Sequence, residues 1–407
     1  MAVVLGEATR AVSGLPWLIL CLLAIGDLIV SWPRKRSITV QPLPDVFVGE
    51  RAYVDLTLHP VTSGVRGELD WPAGLEGSRA FDLSSGQAQV GFRAARRGTW
   101  TLTSLWLTWA SQLRLFEFVP KIPLGLKISV VPNIRRVQSG EISTTVQSRL
   151  FGVKENRTIG EGTEFHQLRD FVPGMDASSI DWKRSARHRS LVSKEVRAER
   201  NHHVIVALDN GYQMREEIAG LPKIDHAITA ALATAWAAAI GGDLVGLYAY
   251  DAKPRLFLPP EPGRAAFTRL RSRTAELRYE SIETNHTLAM TELNARTPKR
   301  SLIIVFSDFV DTTSAELMVE NIGVLAKRHL IVFVALRDPI LETQVNAAPG
   351  DMNDVAETVA TGQLLRERRL VLERLQQIGV TVIDTQPDEI STRLISTYLE
   401  IKAREMI

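Results

Sequence analysis

The order of apolar and polar positions divides the chain into stretches of three textures. Residues 15–32 form an almost continuous apolar run from Leu15 to Trp32, interrupted by Asp27, with Arg34-Lys35-Arg36 just behind it. Between residues 38 and 132 the texture becomes short alternating runs, at 52–58, 87–92, 99–109 and 126–131, with Gly and Pro between them. Alternation with period two turns one face of a strand inward and the other to water, which predicts an N-terminal antiparallel β-sandwich of immunoglobulin-like type. Beyond residue 201 the apolar runs become continuous, at 204–208, 244–250, 301–306, 329–336 and 380–383. Strands buried on both faces have that signature. Helical stretches at 224–240, 264–277, 287–293, 315–327, 363–377 and 390–403 alternate with them, so this part reads as α/β, a Rossmann-type, mostly parallel sheet covered on both sides.

The first run is slightly short for the roughly 20 residues of a spanning helix, and Asp27 is costly near a bilayer centre. Trp17 and Trp32 bracket the run as interfacial aromatics would, and Arg34-Lys35-Arg36 predicts that the chain beyond it stays in the cytoplasm. A signal peptide or a buried helix is the competing reading, with no small-residue cleavage site before the charges to support the first. The division is then 1–36, a membrane anchor; 37–132, the β domain; 133–200, a connector; and 201–407, the α/β domain. Trp100, Trp106 and Trp109 fall on one predicted strand and read as core or cross-strand packing.

Composition narrows the function classes. A chain of 407 residues with 45% apolar and 23% charged side chains is an ordinary multidomain globular protein. A formal net charge of +2 gives no electrostatic case for nucleic acid, and no nucleic-acid-binding motif occurs. Cys21 is the only cysteine, so no intrachain disulfide or cysteine-rich metal site exists.

One stretch of the connector, residues 165–187, mixes charge and aromatics more densely than its surroundings. It carries Phe165, Leu168-Arg169, Phe171, Gly174, Asp176, Ile180-Asp181-Trp182-Lys183 and Ala186-Arg187 in that order. A segment so mixed cannot bury itself alone, because each charge taken from water needs a partner, and it is expected to lie on another domain's surface. Two readings stay open. Arg169, Phe171, Asp176, Asp181, Trp182 and Arg187 are either a contact surface for a partner, since Arg and Trp dominate hot spots, or a latch in which Arg169 and Arg187 pair with Asp176 or Asp181.

This order of residues resembles the hallmark of the bacterial domain-of-unknown-function 58 family, although Phe171, Gly174-Met175-Asp176 and Ser178-Ser179 depart from its usual Tyr, Gly-Asp and Arg. The resemblance implies a membrane-anchored β domain followed by a von Willebrand factor A-like domain, at the bacterial inner membrane with the bulk of the chain cytoplasmic. It also implies a MoxR-type AAA+ ATPase as partner, acting with this chain on an unknown client protein. A two-helix membrane hairpin is usual in the family. Residues 2–5 would be the tail of its first helix, unless the chain keeps a single span.

In an open α/β sheet, ligands gather at the carboxyl ends of the strands. Two strands end in acid, Leu208-Asp209-Asn210-Gly211-Tyr212-Gln213 and Phe306-Ser307-Asp308-Phe309-Val310-Asp311. By the resemblance, Asp209 and Asp308 match the first and last acids of a metal-ion-dependent adhesion site for Mg²⁺. Gly211 and Gln213 stand where its two hydroxyls belong, and the third position would be Thr284 or Thr287. The competing reading is structural: both acids accept backbone N–H bonds. Asp311 joins the contact surface.

Hydrolase chemistry finds no support. His202 and His203 are adjacent and would point to opposite faces of a strand, no nucleophile motif occurs, and Gly160-Glu161-Gly162 is too short for a phosphate loop. The basic clusters at 269–273 and 366–369 read as solvated helix faces. What the resemblance implies is a non-catalytic protein-interaction adaptor or scaffold, working with the ATPase in the maturation or remodelling of envelope or metal-requiring proteins and needing no cofactor unless Mg²⁺ binds. The alternative is a Mg²⁺-dependent enzyme acting on a phosphate substrate at Asp209, Asp308 and Asp311.

Overall fold

The computed structural model describes residues 2–31, 37–61, 64–140, 164–172, 177, 180–188, 190–197, 201–309, 312–346 and 352–404. They fall into two compact units, Met1–Asn133 and Ile134–Ile407.

The first unit begins with one helix, Ala2–Ser31, so residues 2–5 are continuous with the apolar run and do not end a separate helix. Trp17, Leu18, Leu22, Ile29 and Val30 are all more than half exposed along it. Asp27 is buried instead. Its Oδ1 accepts from Ser31 Oγ at 3.2 Å and from the Leu113 amide at 3.0 Å, while Ser31 Oγ accepts from the Gln112 amide. The charge that interrupts the apolar run is thereby tied to a turn of the β domain. Among the described residues no helix is long and apolar enough to cross a membrane.

Among the described residues ten strands follow: β1 Ser37–Val40, β2 Val46–Phe47, β3 Arg51–His59, β4 Arg66–Leu69, β5 Leu75–Gly77, β6 Ala80–Asp82, β7 Gln87–Ala94, β8 Gly98–Ala110, β9 Glu117–Phe118 and β10 Lys121–Val131. They form one sheet in the order β1-β3-β7-β5 and another in the order β2-β10-β8-β4-β6, with β9 on β8. Alternation does what it predicts: Val54, Leu56 and Leu58 of β3, Val90 and Phe92 of β7 and Ile128 and Val130 of β10 are buried, with more open positions between them. Along β8 the phase slips, since Ser104 and Leu105 are both buried, opposite an irregular register between Pro123 and Leu126 of β10. The slip turns Trp106 outward, 38% exposed beneath the Lys121 ammonium, while Trp109 goes inside and stacks on Phe118.

In the second unit the 165–187 stretch acquires backbone partners of its own. β11, Glu164–Asp170, pairs antiparallel with β12, Val192–Arg197. Between them lies the short helix Trp182–His188, whose Ser185 hydroxyl is within hydrogen-bonding distance of both backbone groups of Val192.

The main sheet comprises β13 His203–Asp209, β16 Leu244–Tyr250, β17 Pro254–Pro262, β18 Leu302–Phe306, β19 Leu330–Leu336 and β20 Thr381–Thr385, with a small hairpin of β14 Glu217–Ile218 and β15 Leu221–Pro222 after β13. Its order is β17-β16-β13-β18-β19-β20, parallel except for β17. β17 was not expected: four prolines hid it, and they are tolerated because it is an edge strand bonded on one side only. The central strands are buried along their length except at the first residues of β13 and β19, as their unbroken apolar runs require. Successive strands are added outward in one direction from β13 through β16 and in the other from β18 through β19, although β13 and β18 run parallel, which makes their carboxyl ends the topological switch point.

Candidate functional site at the carboxyl edge of the sheet

The register Leu208 to Phe306 places Asp209, the last residue of β13, beside Ser307, the first residue after β18. Asp209 Oδ2 accepts from Ser307 Oγ at 2.6 Å, and Oδ1 accepts from Thr284 Oγ1 at 2.6 Å and the Gly211 amide at 2.9 Å. His286 Nε2 lies 4.0 Å away. Burial pushes the Asp209 carboxyl above its ordinary range, only partly offset by His286 and these donors, and burial likewise lowers His286. The absence of a side chain at Gly211 is structural. A Cβ there would stand 2.0 Å from Thr284 Oγ1. Of the two threonines weighed from sequence, Thr284 is therefore the one at the site; Thr287 instead accepts from Asn321 Nδ2 at 3.0 Å. Ser307 was missed, although its place directly after β18 and before Asp308 was the signal.

Asp308 has a different environment. Its Oδ2 accepts from Lys223 Nζ at 2.6 Å, and its Oδ1 from Arg368 at 2.6 Å and from the Phe309 amide at 2.9 Å. Lys223 also bonds Glu216, and Arg368 reaches the Leu336 carbonyl at 2.9 Å and Asp384 at 3.2 Å. Arg337 continues the series, pairing with Asp384 and Glu342. Charges alternate in sign from Glu216 through Lys223, Asp308, Arg368, Asp384 and Arg337 to Glu342. Burial alone would raise the Asp308 carboxyl, but the Arg368 and Lys223 charges hold it below the usual carboxylate range. Burial would lower Lys223 and Arg368, and their carboxylate partners raise both. Arg368 corrects the reading of residues 366–369 as a solvated face: its side chain is 15% exposed and turns inward.

Beside this network is a cavity of about 160 Å³ whose apolar wall includes Phe309, Leu336, Leu341 and Val371. A divalent ion does not fit this donor set. Both Asp308 oxygens already carry cationic donors, and like charges this close repel strongly where water is excluded. Among the described residues no group of three or more His, Cys, Asp or Glu is placed to hold a metal.

The described connector residues lie on the hairpin and its helix. The Arg169 backbone pairs with Ser193. Asp181 accepts from the Arg184 amide at 3.1 Å, capping the helix, and its other oxygen is 3.9 Å from the Arg184 guanidinium. Phe171 is half-buried, Arg187 is exposed, and Trp182 is 67% exposed. Asp176 and Asp311 lie outside the described residues.

A parallel sheet with a strand-end carboxylate pair at its switch point, preceded by the hairpin that carries the 165–187 order, defines the class. The profile of the family described as "Protein of unknown function DUF58" matches residues 167–385, more than half of the chain. The chain belongs to the DUF58 family. Among solved structures, the conserved hypothetical protein BatB from Bacteroides thetaiotaomicron is 15% identical over 50% of this chain and 100% of its own, with a TM-score of 0.31. Proximal thread matrix protein 1 from the mussel byssus, with a zinc-occupied MIDAS motif, is 8% identical over 50% of this chain and 46% of its own, also with a TM-score of 0.31. No curated protein matches the sequence.

Proposed function

We propose that the protein is a non-catalytic, membrane-anchored adaptor that binds protein through the carboxyl edge of a von Willebrand A-like domain and works with a MoxR-type AAA+ ATPase on a client protein. The observation that carries this reading is the character of that edge. Its carboxylates are engaged internally, while large apolar side chains in the segments that follow the strands face water: Tyr212, in a short 3₁₀ turn, is 44%, Ile282 38% and Ile340, in the helix Pro339–Asn346, 60% exposed. The Tyr212 amide donates to the Ile282 carbonyl at 3.0 Å, so two of the three adjoin. Exposed apolar side chains grouped on a rim mark interaction surfaces, whereas chemistry needs a free nucleophile or base.

Strand order supports the von Willebrand A-like reading. Numbered within the domain it runs 3-2-1-4-5-6 with an antiparallel third strand, and the family resemblance matches Asp209, Thr284 and Asp308 to the acids and threonine of a metal-ion-dependent adhesion site. The apolar surface of the Ala2–Ser31 helix, with Asp27 hydrogen-bonded to the β8–β9 turn, supports an anchor. The ATPase partnership rests on the family resemblance. It is tested by co-purifying the neighbouring ATPase with the full-length chain and with a Tyr212→Ala, Ile340→Asp double variant. Recovery should fall at least about tenfold in the variant, the effect of losing about 1.4 kcal/mol of binding; equal recovery from two folded proteins would remove this face from the account.

A further inference from the structure

Lys223 is an unusual residue for its place. It opens the helix Lys223–Ile240, and the amino end of a helix carries partial positive charge that disfavours a cation. Its side chain is only 8% exposed. What holds the ammonium there is a pair of carboxylates from two other segments. Asp308, just past β18, has Oδ2 at 2.6 Å from Nζ, and Glu216, from the turn after β13, hydrogen-bonds the same nitrogen. Hard divalent cations sit about 2.0–2.6 Å from carboxylate oxygens. Nζ thus stands close to where a metal would stand, and Arg368 holds the other oxygen of Asp308.

We infer that Lys223 is a resident cation: its ammonium fills, from within the chain, the place between Asp308 and Glu216 that a divalent ion would take, and its removal uncovers a site for a hard divalent cation. The edge then keeps its shape in the presence of chelators. This inference concerns the chain alone and is independent of whether the edge binds protein. It also separates the two strand-end acids, because Asp209 is satisfied by hydroxyl and amide donors and Asp308 by charge.

The test is Mn²⁺ titration of the full-length chain, followed by the free-ion electron paramagnetic resonance signal and by melting temperature, since an ion bound only by the folded state must raise the latter. Wild type should leave the Mn²⁺ signal and the melting temperature unchanged. Lys223→Ala should bind Mn²⁺ and melt higher as it is added, and adding Asp308→Asn to that variant should abolish both responses. Lys223→Gln, which retains more of the side-chain volume, serves if the alanine variant does not fold. Mn²⁺ uptake by wild type that is lost in Asp308→Asn would overturn the inference, as would a folded Lys223 variant that takes up no Mn²⁺.

Discussion

Asp308→Asn is the most informative single change, because it keeps the side-chain volume while removing one charge from the middle of an alternating series. Asp308 is 4% exposed and lies between Lys223 and Arg368, each at 2.6 Å. Breaking a buried ion pair from one side costs roughly 3–5 kcal/mol, since the partner charge remains out of water. Two features bring the cost to the lower end. Lys223 retains Glu216, which is largely exposed, and Arg368 retains Asp384 and the Leu336 carbonyl. A loss of about 3 kcal/mol is therefore expected, which for a unit of this size lowers the melting temperature by roughly 6–12 °C. Differential scanning calorimetry is the appropriate assay, because the two compact units need not unfold together. Asp209→Asn is the control. It loses hydrogen bonds from hydroxyls and an amide, not ion pairs, and should cost about 1–2 kcal/mol. An Asp308→Asn protein that melts within about 1 °C of wild type, or above Asp209→Asn, would refute the assignment of Asp308 as the electrostatic centre.

Acid should act through the same residue: the folded-state carboxyl of Asp308 lies below its ordinary value of about 3.9, so its stabilisation is complete above that pH and is lost as pH falls through the folded value. The stability difference between wild type and Asp308→Asn should therefore be constant from neutrality to about pH 4 and shrink below it, in urea titrations at stepped pH. Lys223 has the opposite sign, its raised value giving stabilisation that is complete below about pH 10.4 and lost on further alkalinisation, a limb absent from Lys223→Met. Gly211→Ser restores a hydroxyl at the adhesion-site position but places Cβ against Thr284 Oγ1; it should destabilise by about 1–3 kcal/mol and recover part of that when Thr284→Ala is added. Tyr398→Phe removes a donor to Asp243, which also accepts from Lys402 at 2.8 Å and the His202 amide at 3.1 Å, and should cost about 1.5–3 kcal/mol in denaturant titration.

The parallel sheet was readable because strands buried on both faces must be apolar throughout, so β13, β18 and β19 stand out as unbroken runs. Asp209 and Asp308 were readable for a related reason, being acids placed at the ends of such runs. The cations opposite them were not. Lys223 lies 85 residues and Arg368 60 residues from Asp308 in sequence, and nothing local distinguishes Arg368 from the arginines beside it; only the rotation of its helix aims it inward. The choice of Thr284 over Thr287 was equally hidden, since it depends on how the segment after the helix Gly263–Ala275 folds back over Gly211. β17 escaped because proline argues against a strand unless the strand is known to be at an edge.

The central claim is that the carboxyl edge of the sheet carries its own cation. Diffraction from crystals of the wild-type chain grown with millimolar Mn²⁺, recorded at the manganese absorption edge, tests it most directly. No anomalous peak is expected beside Asp308, with Lys223 Nζ lying between Asp308 and Glu216. An anomalous peak within coordination distance of Asp308, with the lysine turned away, would contradict it.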